Sequence, residues 1–88
     1  MSEMVSRALN GRQERKKWLA YIVDHGGGLD YSEIKGKFTL RYAVSHRTFS
    51  EYLSDLQDEG VIYQEEDKAT GRQLWWTANG RAKEEKKN

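Results

Sequence analysis

The sequence predicts a mainly α-helical protein with a small antiparallel β-hairpin, built as one domain. Three observations lead there. Apolar residues recur at helical spacing in successive segments, the period changes to two after Gly60, and the two alternating runs that follow are joined by a short polar connection containing Gly71. A chain of 88 residues has room for one core. Its hydrophobic fraction of 36% is low, yet three Trp, five Tyr and two Phe supply bulky core material that disordered chains lack.

The elements follow in order. Met4, Val5, Ala8 and Leu9 form a short apolar stripe, a helical turn or two closed by Asn10 and Gly11, within an extension over residues 1–11. From about Arg12 to Asp24, Trp18, Leu19, Ile22 and Val23 mark an amphipathic helix that Gly26, Gly27 and Gly28 end. Asp30 followed by Glu33 is a helix-start signature: one side chain accepts from backbone N–H groups and the other reaches back. The helix it opens is short and carries Tyr31, Ile34 and Phe38 on one stripe. A third helix holds Val44, Phe49, Tyr52, Leu53 and Leu56 and ends at Gly60, with Thr39 and Ser45 both available as its cap. Beyond it, Val61 to Glu66 and Arg72 to Thr77 alternate as strands around Asp67-Lys68-Ala69-Thr70-Gly71. Successive strand residues point to opposite faces, so either Trp75 or Trp76 is expected to stay partly exposed. Thr77 caps a last helical segment that dissolves into a charged tail over residues 83–88.

The stretch from Ser45 to Ile62, SHRTFSEYLSDLQDEGVI, resembles the recognition helix of winged helix-turn-helix transcriptional regulators. It has a capped polar start with Thr, apolar residues four and three apart, then an acidic-Gly-apolar-apolar passage into the wing. Trp75-Trp76-Thr77-Ala78-Asn79-Gly80-Arg81 is similar to the ending that follows the wing in such proteins, and together the resemblance spans residues 12–82. Two features depart from it. Six residues separate Phe38 from Ser45, more than a tight turn, and Leu40, Tyr42, Ala43 and Val44 are apolar for a loop. In addition, Glu51, Ser54, Asp55 and Asp58 fall on exposed positions of the third helix, where carboxylates repel phosphates unless they face away or accept from cytosine.

The resemblance implies binding of double-stranded DNA by site occupancy. The start of the third helix, Ser45, His46, Arg47, Thr48, Ser50 and Glu51, would meet base edges in the major groove, Arg47 donating bidentately to guanine. Lys68, Thr70 and Arg72 would touch DNA from the wing. Arg12, Arg15, Lys16 and Lys17 crowd the start of the first helix against its dipole, and with Lys35, Lys37 and Arg41 they are candidates for phosphate contact. The net charge of +1 hides this distribution. Residues 1–47 carry nine Lys/Arg against five Asp/Glu, and residues 48–88 carry six against nine. An alternative partner follows from the acidic half: a basic protein docked on the flank of the third helix. Met4, Val5, Ala8, Leu9 and the exposed Trp offer a homodimer surface.

Other classes find little support. Without Cys there is no disulfide framework or thiolate chemistry, and His25 and His46 have no metal-ligand spacing. Gly26-Gly27-Gly28 lacks the Lys-Ser/Thr of a phosphate loop. No catalytic constellation stands out, so neither enzyme activity nor a cofactor is expected. No apolar run approaches the roughly 18 residues of a membrane span, and MSEMVSRALNGR lacks the apolar middle of a signal peptide. The expectation is a soluble, cytoplasmic protein that does not enter membranes.

Overall fold

The computed structural model describes residues 2–86, with side chains described from residue 11 onward. Its elements are α1 (Ser2–His25), α2 (Tyr31–Thr39), α3 (His46–Asp58), β1 (Tyr63–Glu66), β2 (Gln73–Trp76) and α4 (Ala78–Lys86). The fold is mainly α with a two-stranded antiparallel hairpin, as the periodicity predicts. No helix among the described residues is long and apolar enough to cross a membrane.

The predicted break at Asn10 and Gly11 does not occur: α1 runs unbroken for 24 residues. One helical Gly costs about 1 kcal/mol, less than nucleating a second helix. The side chains of Met4, Val5, Ala8 and Leu9 lie outside the described ones. At the other end, the His25 imidazole Nδ1 lies 3.0 Å from the Tyr21 carbonyl, placed to satisfy one of the free carbonyls of the last turn.

Asp30 caps α2 as its sequence dictates, accepting from the Glu33 amide while Glu33 reaches back to the Asp30 amide. Of the two candidate caps for α3, Ser45 is the one used, accepting from the Thr48 amide at 3.1 Å. Thr39 instead turns its hydroxyl back onto the Lys35 carbonyl. The long connection between α2 and α3 is apolar for a structural reason. Tyr42 and Val44 pack onto the core, while Leu40 stands 88% exposed. At the far end of α3, Gly60 takes φ 76°, a left-handed conformation that lets the Val61 amide close on the Leu56 carbonyl. Val61 and Ile62 therefore belong to this turn rather than to the strand predicted for them, and Ile62 drops into the core.

Leu19, Val23, Ile34, Phe38, Phe49 and Ile62 form the centre of the core. β1 pairs with β2 so that Tyr63 faces Trp76 and Glu66 faces Gln73. Trp75 turns inward onto the helices, and its amide donates to the Leu29 carbonyl at 2.7 Å, so residue 29 briefly extends the hairpin.

The expectation of an exposed Trp fails, because Trp75 and Trp76 are each only 6% exposed. The two rings do leave opposite faces, but the second face is covered as well. Gly28 approaches so closely that a Cβ there would lie 2.6 Å from the Trp76 ring, and the Arg81 guanidinium of α4 sits 5.2 Å from its centre. A homodimer surface that relies on an exposed hairpin Trp is thereby removed.

α4 does not fray at residue 83 but continues to Lys86. It is anchored at its start. The buried Thr77 hydroxyl accepts from the Gly80 amide and donates to the Asp24 carboxylate at 2.5 Å, and Asn79 donates to the same carboxylate. Gly80 has no room for a side chain, since a Cβ would lie 2.6 Å from the Asp24 carbonyl oxygen. Arg81 completes the joint by pairing with Glu65 on β1 at 3.1 Å.

These contacts yield two measurable consequences. Gly80→Ala destabilises the protein by about 1–3 kcal/mol through overpacking, whereas Gly36→Ala, in open space within α2, stabilises it by about 0.5–1 kcal/mol; urea unfolding distinguishes the signs. The Thr77 hydrogen bond, aided by Asn79, holds the Asp24 carboxyl below the ordinary aspartate value. A depressed folded-state pKa gives stability that is present above the unfolded value of about 4 and is lost as pH falls through the folded one. Thermal unfolding of Asp24→Asn therefore shows lower stability at neutral pH and a shallower decline on the acid side than the parent.

Candidate nucleic-acid interface

The start of α3 brings together residues from two helices. Tyr31, the first residue of α2, places its hydroxyl 3.0 Å from His46 Nδ1 and 3.0 Å from Ser50 Oγ, while Lys35 Nζ lies 3.3 Å from the same His46 nitrogen. The ammonium can only donate, so Nδ1 accepts and the imidazole proton sits on Nε2. The Tyr31 hydroxyl lies at the same nitrogen, whose one lone pair it shares with Lys35, and bridges to Ser50. The result is a polar row beside the exposed Arg47.

Arg47 is the most available group of the row, its side chain 91% exposed and, among the described residues, tied only to Glu51 at 3.4 Å. An exposed pair of this kind contributes little and leaves the guanidinium free to exchange partners. The first turn of α3 contains no acidic residue, so the partial positive charge of the helix start is uncompensated. Ser45 and Thr48, both candidates from sequence, are committed to the cap: the Ser45 hydroxyl donates to the Thr48 hydroxyl at 3.0 Å besides accepting its amide. His46, Arg47, Ser50 and Glu51 remain as the outward set, joined by Lys35.

The acidic half of α3 lies against α1. Arg12 pairs with Asp55 and stacks 5.3 Å over the Tyr52 ring; Lys16, only 7% exposed, pairs with Glu59 and lies 3.9 Å from Asp55. Asp55, through its hydrogen bond, raises the Arg12 pKa above its ordinary value. Two of the cations expected at phosphates are thus engaged in neutralising α3. The pattern has a sequence signal: Arg12 and Lys16 repeat at i, i+4, as do the acids Asp55 and Glu59 that receive them. Arg15 and Arg41 lie over the Tyr42 ring, and Arg41 also lies over Trp18. Lys17 and Lys37 flank the opposite edge of α2 from the row described above.

In the hairpin loop, Asp67 is turned inward to accept from the Ala69 amide and the Thr70 hydroxyl, which organises the turn. Lys68 stands exposed beside it with no ion pair among the described residues. Arg72 is not at the tip. It pairs with Asp30 and with Glu33 at 2.7 Å, fastening the hairpin to the start of α2. The Glu33 amide, then Arg72, holds the Asp30 carboxyl below its ordinary value. Compared with known protein families, with curated proteins and with solved structures, the chain shows no match.

Sequence reasoning assigned Tyr31 to the core stripe and missed its hydroxyl. The ring does pack edge-on against Phe49, with centroids 5.3 Å apart, but its polar end organises the outer row. Tyr31→Phe accordingly costs about 1 kcal/mol of stability. It also loosens the Nε2–H tautomer of His46, which imidazole nitrogen shifts report; an unchanged tautomer ratio would contradict the assigned row.

Proposed function

We propose that this chain is a winged-helix protein that binds double-stranded DNA in a sequence-dependent way and acts by occupying its site. The observation that carries the reading is the polarity of α3. Its exposed start is lined by Arg47, His46, Ser50 and Lys35, whereas Asp55 and Glu59 on its second half are paired with cations of α1. Carboxylates held this way no longer oppose a polyanion approaching the other end. The same pairing weakens the competing picture of a basic partner on that flank, since two of its acids are already satisfied.

In this reading the start of α3 enters the major groove. Arg47 donates to guanine O6 and N7, His46 Nε2–H and the Ser50 hydroxyl reach neighbouring edges or phosphates, and Lys35 contacts the backbone beside them. Glu51 accepts from a cytosine amine, releasing Arg47 from their mutual pair. Lys68 carries the wing contact, with Thr70 and Gly71 allowing close approach. Arg72 holds the wing at its angle to α2.

Fluorescence anisotropy on labelled duplexes over a salt series tests this. Binding must weaken steeply as salt rises, through release of counterions. Arg47→Ala costs about 1–3 kcal/mol and relaxes sequence preference, whereas Lys68→Ala weakens all sequences alike and lowers the salt slope by about one. Absence of binding to any duplex at low salt overturns the proposal.

A further inference from the structure

A second surface lies on the opposite edge of α2. There Lys37 and Leu40 face Trp18, Tyr21 and Ile22 of α1 across a groove of about 270 Å³. It continues into a second depression that shares Trp18 and Tyr21 and is bordered by Lys17 and Arg41. The floor is apolar and exposed: Leu40 is 88% exposed and Tyr21 53%. No packing role explains Leu40, which contributes nothing to the core.

The rim is cationic and unsatisfied. Arg12, Lys16, Arg72 and Arg81 each have a carboxylate partner, but Lys17, Lys37 and Arg41 have none among the described residues. Among the described residues, Glu14 is the one acid that lines either depression. Beneath Arg41, the buried indole N–H of Trp18 has no acceptor among the described residues.

From this complementarity we infer that the α1–α2 groove docks an acidic amphipathic helix of a partner protein. Aliphatic side chains of that helix lie on Tyr21 and Leu40, and its carboxylates meet Lys17, Lys37 and Arg41. A stacked nucleobase fits the site poorly, because the ring faces of Trp18 and Tyr21 already have neighbours. Arg41 covers Trp18 at 4.8 Å, and Tyr21 is flanked by Trp18 at 5.4 Å and His25 at 4.2 Å. The inference is independent of DNA binding, which uses the other edge of α2.

The test is a titration of the isotope-labelled full chain, followed by amide and indole NMR, with a synthetic peptide of about 15 residues carrying Leu at i, i+4 and i+7 among Glu. Saturable shifts are expected at the Trp18 indole, Tyr21, Lys37 and Leu40. Leu40→Asp and Lys37→Glu, both at exposed positions, each weaken binding by about tenfold while the remaining spectrum stays unchanged. Duplex binding persists in Leu40→Asp. The inference fails if no saturable shifts occur at the groove, if neither variant weakens them, or if a peptide with Ser in place of Leu binds equally. It also fails if single-stranded DNA, or raised concentration of the protein alone, produces the same shifts.

Discussion

A two-stranded hairpin cannot stand alone in water, and this one is held because adjacent tryptophans bury both of its faces. Trp75 joins the helical core. Trp76, on the reverse face, would be an exposed apolar surface were it not enclosed by Gly28 and Arg81. The enclosure demands that α4 fold back across the end of α1, which in turn demands the Gly80 contact and the Thr77–Asp24 hydrogen bond. Arg72 ties the loop side of the same hairpin to Asp30 and Glu33. Hairpin, α1 and α2 are thus fixed relative to one another by a few short-range contacts, and the position of Lys68 is a consequence.

Charge is organised with equal economy. The chain is nearly neutral, yet its ionic groups are sorted by pairing rather than mixed over the surface. α1 supplies Arg12 and Lys16 to the acidic half of α3, and Arg81 supplies Glu65. Among the described cations without a carboxylate partner, two groups lie on opposite edges of α2: Lys35 beside the start of α3, and Lys17, Lys37 and Arg41 around the apolar groove. The first region is polar, as the proposed duplex contact requires; the second has an apolar floor, as the proposed helix docking requires. The same helix therefore separates two surfaces of different chemistry, and the difference comes from Leu40 and Tyr21 on one side against His46 and Ser50 on the other.

Much of the fold was legible locally. The Asp30–Glu33 box and the apolar spacing from Phe49 to Leu56 depend on residues a few positions apart and appear where the pattern puts them, and of the two caps open for α3 the structure uses Ser45. Errors arose where a local rule met a distant partner. Gly11 looked like a stop, but a helix tolerates one glycine when its continuation costs less than a new start. Residues 83–86 looked frayed, but α4 is anchored to α1 and β1 from its first turn. Within the candidate site, His46, Arg47, Ser50 and Glu51 could be named from their place in the helix, while Tyr31 could not, since its ring and its hydroxyl serve different environments.

The sequence by itself determined the class of the fold, the order of its elements and the box that opens α2, because those depend on backbone hydrogen bonding and side-chain period over a few residues; the choice of Ser45 over Thr39 as the cap of α3 came from the structure. Only the tertiary structure decided which charges remain available. Arg12 and Asp55 are 43 residues apart, as are Lys16 and Glu59, and Arg72 meets an acid 42 residues before it. Pairing over such separations depends on how helices pack, and a composition of almost equal charges gives no sign of it. The net +1 met in the sequence does not distinguish cations held by distant acids, such as Arg12, Lys16 and Arg72, from Lys35, Lys68 and the α1–α2 rim, which have no carboxylate partner among the described residues.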